Sequence, residues 1–161
     1  MFSLIISIVS IALVVVLAAA TMYYGGDALT QGRTSAEASS YVTAAQQIGG
    51  AAVMHISTNA TAPADVAALV TGNTLSGVPN VKSRSATNEW LIGTGTPRLI
   101  TINLAGTPAS NLKLCEQINK NAGATGMDAT NGTVAAITTL AYACVPGAVP
   151  ATDPQVFQFK Y

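Results

Sequence analysis

Hydrophobic and polar positions divide this chain into three stretches. Residues 1–24, MFSLIISIVSIALVVVLAAATMYY, hold 20 apolar residues, three serines and one threonine, with no charge and no polar face. A run that is apolar all round predicts a helix surrounded by hydrocarbon or by other helices. At about 1.5 Å per residue it reaches roughly 36 Å, enough to cross a bilayer core of about 30 Å with some tilt. Tyr23 and Tyr24 close the run, where an aromatic belt would meet a membrane interface. In residues 25–58 the rhythm changes. Ala38, Tyr41, Ala45, Ile48, Ala52 and Ile56 recur at spacings of three or four, while Ser39, Ser40, Thr43, Gln46 and Gln47 fill the reverse face. This predicts an amphipathic stalk helix whose apolar stripe lies on something. Gly25-Gly26, at about 1 kcal/mol each relative to alanine, predicts a helix break, and Gly49-Gly50 a second point of bending or local melting.

From residue 59 onward turn residues take over, and all seven prolines fall between Pro63 and Pro154. A short helix is expected over Ala64 to Val70, with Pro63 near its first turn and Gly72 after its end. Glu89 to Gly93 and Arg98 to Leu104, joined by a TGTP turn, read as a hairpin. Residues 108–121 read as a helix whose apolar side holds Leu112, Cys115 and Ile118. Val134 to Cys144 fits either a strand or a buried helix. In QVFQFKY, Phe157, Phe159 and Tyr161 alternate with Gln158 and Lys160, the mark of a half-buried strand. The expected architecture is α+β: residues 1–24 an apolar helix, 25–58 a stalk helix, and 59–161 a small antiparallel head packed on the stalk's outer half.

Composition narrows the function classes. Charged residues make up 9% of the 161, against about 25% in an ordinary soluble domain, and the formal net charge is zero. A charge-rich disordered tail is excluded. No Lys/Arg cluster exists to neutralise phosphates, so nucleic acid is not an expected partner. The first charged side chain is Asp27 and the nearest cation Arg33, so the basic flank of a secretory signal or signal anchor is missing from residues 1–24. A basic leader since removed would resolve that conflict. Cys115 and Cys144 lie downstream of the apolar run; an exported head favours their pairing, the alternative being two buried thiols.

A search for chemistry leaves little. His55 is the only histidine, and no G-x-S-x-G nucleophile motif accompanies it, so it reads as a partly buried stalk residue. Gly93-Thr94-Gly95 lacks the third glycine of a dinucleotide fingerprint, because Arg98 stands there. Asp128 to Gly132, DATNG, lacks the alternating ligands and closing glutamate of a calcium loop and reads as an Asn-Gly turn. Two cysteines and one histidine are too few for a metal site. No enzyme, cofactor or metal is expected.

The arrangement that remains is architectural. A charge-free apolar helix, an amphipathic stalk and a C-terminal region holding two cysteines together resemble a type IV pilin. Residues 22–51, MYYGGDALTQGRTSAEASSYVTAAQQIGGA, are similar to the N-terminal region of type IVb major pilins, including the plasmid-encoded thin-pilus and shufflon-type pilins. The detailed similarity covers about the first 55 residues. It implies the pilin fold and a leader cut by prepilin peptidase, with Met1 as the mature, N-methylated residue. It also implies an inner-membrane pool of subunits, an ATP-driven assembly machinery and an extracellular pilus on the bacterial surface. Where the family usually places a glutamate at the fifth mature position, this chain has Ile5. Physics favours polymerisation independently, since an apolar helix outside a membrane must bury itself among equivalent helices, and contacts that do not close build a filament. Phe2, Leu4, Ile5, Ile8, Ile11 and Val15 are the expected filament core, with Ser3, Ser7, Ser10 and Ala18–Ala20 small enough for close helix approach. The expected function is a homo-oligomeric structural subunit serving adhesion, cell–cell contact or conjugation. The alternatives are a minor pilin or secretion-system pseudopilin, which Ile5 favours, and a single-pass anchored periplasmic binding module.

Overall fold

A 58-residue helix, α1 (Phe2–Asn59), opens the chain. The structure, a computed structural model, describes residues 2–81, 89–149 and 153–161. Met1, the expected processing and methylation site, lies outside them. α1 runs without interruption through both glycine pairs, so the expected break at Gly25-Gly26 is absent. The glycine penalty is mainly entropic and about 1 kcal/mol per residue, which a helical ladder extending on both sides can absorb. At Gly25 and Gly26 an added Cβ would meet nothing within 4 Å. Gly49 has a packing reason: a Cβ there would approach Phe159 Cε1 to 3.2 Å and Tyr161 Cβ to 3.4 Å. The helix ends where Ala60 takes φ 55° and its N–H donates to the Ile56 carbonyl at 2.8 Å, the left-handed ending usually given to glycine.

The chain divides into two units, Met1–Thr34 and Ser35–Tyr161. In the first, every side chain from Phe2 to Tyr23 is exposed. The second is the head. There Ala38, Tyr41, Ala45, Ile48 and Ala52 are buried and Ile56 is half-buried, while Ser39, Ser40, Thr43, Gln46 and Gln47 stay exposed. The expected stripe is therefore the helix's core face.

That face meets a four-stranded antiparallel sheet of order β1-β2-β4-β3, built from β1 (Trp90–Ile92), β2 (Leu99–Asn103), β3 (Tyr142–Val145) and β4 (Val156–Lys160). β1 and β2 form the expected hairpin, with Gly93 N–H donating to Leu99 O at 2.7 Å. The register Trp90↔Ile102↔Phe157↔Cys144 lines up one row of the inner face. Phe157 is at its centre, with ring centroids 5.8 Å from Tyr41, 6.3 Å from Trp90 and 6.4 Å from Tyr142. α2 (Val66–Thr71) starts two residues later than expected, because Asp65 Oδ1 caps it by accepting from Ala68 N–H at 2.7 Å. α3 (Pro108–Asn121) has the expected bounds, set by a Thr107/Ser110 capping box with proline in the first turn.

Of the stretch 134–144, only 142–144 enters a strand. Val134, Ile137 and Leu140 are spaced by three along an irregular path and pack with Ala143, Val145 and Val156. Ala143, Val145 and Val156 alternate with Cys144 and Phe157, so this second cluster covers the sheet's other face.

Candidate assembly surface

The features that distinguish this chain are the apolar surface of its first unit and the means by which its second is held closed. Phe2, Leu4, Ile5, Ile8, Ile11 and Val15 are all exposed, Phe2 at 85% and the others at 57–66%. Leu4, Ile8, Ile11 and Val15 follow one another at four, three and four residues and so share a stripe. Ile6, Val9, Leu13, Val14, Val16 and Leu17 are exposed as well, so the helix is apolar on every side. By length and composition the helix is long and apolar enough to cross a membrane.

By size alone the serines here allow close helix approach. The hydroxyls of Ser7, Ser10 and Thr21 are satisfied within the helix: Ser7 Oγ donates to Ser3 O at 2.9 Å, Ser10 Oγ to Ile6 O at 2.8 Å and Thr21 Oγ1 to Ala18 O at 2.9 Å. A hydroxyl so occupied enters an apolar setting without an unpaired donor. Position 5 presents Ile5 to the outside.

In the head, Cys115 and Cys144 form a disulfide across 29 residues, with Cα atoms 5.3 Å apart and both residues fully buried. It ties α3 to edge strand β3. Beside it Asn119 does the same with hydrogen bonds: Nδ2 donates to Cys144 O at 3.1 Å and Gly132 O at 2.8 Å, and Oδ1 accepts from Cys144 N–H at 2.8 Å. Asn111 Nδ2 donates to Gln155 Oε1 at 3.1 Å, and Gln155 Nε2 donates to Pro108 O at 2.8 Å and Asn131 O at 3.3 Å. Buried amides paired in this way fix a unique packing, since removing one partner strands the others. Sequence reading missed this network, because each amide's partners lie far along the chain.

The segments weighed for chemistry have structural uses. His55 is half-buried, its Nδ1 3.4 Å from Asn59 Nδ2. In the 128–133 turn Gly132 N–H donates to Asp128 O at 2.7 Å, and Asp128 N–H to Thr133 O at 2.8 Å. The Asp128 carboxylate accepts from the Thr130 hydroxyl at 2.6 Å and from its N–H at 2.8 Å, which together hold its pKa below the ordinary carboxylate value. Burial pushes the Tyr161 phenol up, against the opposing charge of Arg98. Among the described residues no three of His, Cys, Asp and Glu gather as metal ligands would. A shallow groove of about 370 Å³ between residues 123–126 and 134–140 has no titratable side chain in its lining. Comparison with family models, curated proteins and solved structures finds no match to this chain.

Proposed function

We propose that the chain is the major structural subunit of a type IVb-like pilus, a helical polymer held together by its apolar N-terminal helix. One observation carries the reading: a single helix is apolar and exposed on every side through residue 23, and from residue 37 to 52 turns one face into the core of a disulfide-closed head. Burying a side chain such as Leu or Ile is worth about 1.5–3 kcal/mol, so the six residues from Phe2 to Val15 named above offer on the order of 10 kcal/mol to whatever covers them. A bilayer covers them before assembly and equivalent helices afterwards. In this reading prepilin peptidase and the pilus machinery handle the subunit at the inner membrane, and the finished fibre lies outside the bacterium. Its work in adhesion, cell–cell contact or conjugation is done by the fibre's surface.

Electron microscopy of material sheared from cells, joined to intact-mass analysis, tests this. Fibres are expected whose subunit begins at Met1, carries an added methyl there and is two hydrogens lighter than the reduced chain. Protein confined to the membrane fraction, fibre-free and with residues still attached before Met1, would refute the pilus reading in favour of an anchored periplasmic module. A subunit found only at substoichiometric levels in fibres of another protein would make it a minor pilin or pseudopilin, the assignment that Ile5 favours.

A further inference from the structure

Two Asn-x-Thr triplets occur in the chain, Asn59-Ala60-Thr61 and Asn131-Gly132-Thr133. This is the acceptor pattern for N-linked glycan transfer to exported proteins. The fold treats the two triplets in opposite ways. Asn131 is only 6% exposed, and its Oδ1 accepts from Thr133 N–H at 3.1 Å and from the Thr133 hydroxyl at 2.6 Å. Its carbonyl accepts from buried Gln155, and the next carbonyl, that of Gly132, accepts from buried Asn119. Gly132 is wedged against α3, where an added Cβ would lie 2.6 Å from Leu112 O. Presenting this triplet to an enzyme would mean dismantling the head.

Asn59, Ala60 and Thr61 are all exposed. Asn59 is the last residue of α1, Ala60 turns the chain out of the helix with φ 55°, and no regular element resumes before Val66. The bonds of Asn59 Nδ2 are local: 3.2 Å to His55 O, 3.4 Å to His55 Nδ1 and 3.5 Å to Thr58 Oγ1. Freeing the carboxamide breaks none of the head's long-range contacts.

We infer that Asn59 is a glycan acceptor and that the fold holds the second triplet, at Asn131, unmodified. The donor class is a polyprenyl diphosphate-linked oligosaccharide. A bond forms between Asn59 Nδ2 and the anomeric carbon of the first sugar, and that carbon's bond to the diphosphate oxygen breaks. The polyprenyl diphosphate leaves with the electron pair, and the amide proton passes to a base of the transferase. The Thr61 hydroxyl is the second group the transferase reads. The assignment rests on export of the head, which the proposed function supplies, and not on filament formation.

The test uses the full chain in detergent with its disulfide intact. It is incubated with chitobiosyl polyprenyl diphosphate and a single-subunit oligosaccharyltransferase that reads Asn-x-Thr with no further flanking requirement. Intact mass and peptide mapping should find one chitobiose, on the peptide containing Asn59. Asn59→Gln and Thr61→Ala, both at exposed positions, should each lower occupancy at least tenfold while leaving the disulfide formed. The reduced, denatured chain should gain a second glycan at Asn131. Transfer to Asn131 in the folded chain, or no transfer to Asn59, overturns the inference. Fibres are scored separately by microscopy, so their absence leaves this result standing.

Discussion

Gly132 shows how closely the head is fitted at the level of single atoms. Its φ is 70°, a conformation that side chains disfavour, and a Cβ there would fall 2.6 Å from Leu112 O and 2.9 Å from Glu116 N. Both atoms belong to the backbone of α3, so neither can swing aside as a side-chain tip would. Gly132→Ala is therefore expected to destabilise the head by about 2–4 kcal/mol, combining backbone strain with a displaced turn. Urea unfolding of the disulfide-intact protein measures it. A loss below about 0.5 kcal/mol, the range of an ordinary surface substitution, would show that the turn is not docked as described. The neighbouring Asn119 belongs to the same fit, because the carbonyl it holds is that of Gly132. A glycine-favouring conformation and buried hydrogen bonding thus converge on one turn, the DATNG segment.

Among the elements, α1 poses the sharpest question. Its glycine pairs are helical, and at Gly25-Gly26 no neighbouring atom requires a missing side chain. Replacing both with alanine should stabilise the local helix by up to about 2 kcal/mol. In micelles, amide hydrogen exchange across residues 22–28 should then slow by roughly tenfold or more. Unchanged rates would show that these glycines do not set the local opening. The elements differ in how far the sequence reveals them. α3 carries its own boundaries in Thr107, Pro108 and Ser110, and β4 carries its faces in the alternation of Phe157 and Phe159 with Gln158, so local pattern suffices for both. The pattern of residues 134–141 does not decide between helix and strand, and Val134, Ile137 and Leu140 instead cover a sheet face from an irregular path. Their role depends on Ala143, Val145 and Val156 being present beneath them. The order β1-β2-β4-β3 and the Asn111–Gln155 pair, 44 residues apart, are likewise settled only by tertiary packing. The apolar surface was fully legible, since it needs no partner within the chain to define it.

At the scale of the whole molecule, the two units make different demands on their surroundings. From Phe2 to Tyr23 no residue is buried, so that part of α1 adds nothing to the head's core. The head's buried residues begin at Glu37 and Ala38, and its disulfide closes a loop worth about 3–4 kcal/mol in the chain-entropy model. A chain starting at Leu29 keeps every residue described as buried and loses the exposed apolar helix. It should be a soluble monomer with the disulfide formed, and its Tm should lie within about 4 °C of the full chain's in detergent, the shift expected of a difference near 1 kcal/mol. Sedimentation and calorimetry would check this. A truncated chain that aggregates, or melts 15 °C lower, would mean that the apolar segment supports the head and is not reserved for other molecules. If the truncated chain folds as expected, a segment that offers on the order of 10 kcal/mol of burial has all of it to give to a bilayer or to neighbouring copies. In the proposed pilus, one helix would serve as membrane anchor and as polymer core in turn, while the head stays folded through both.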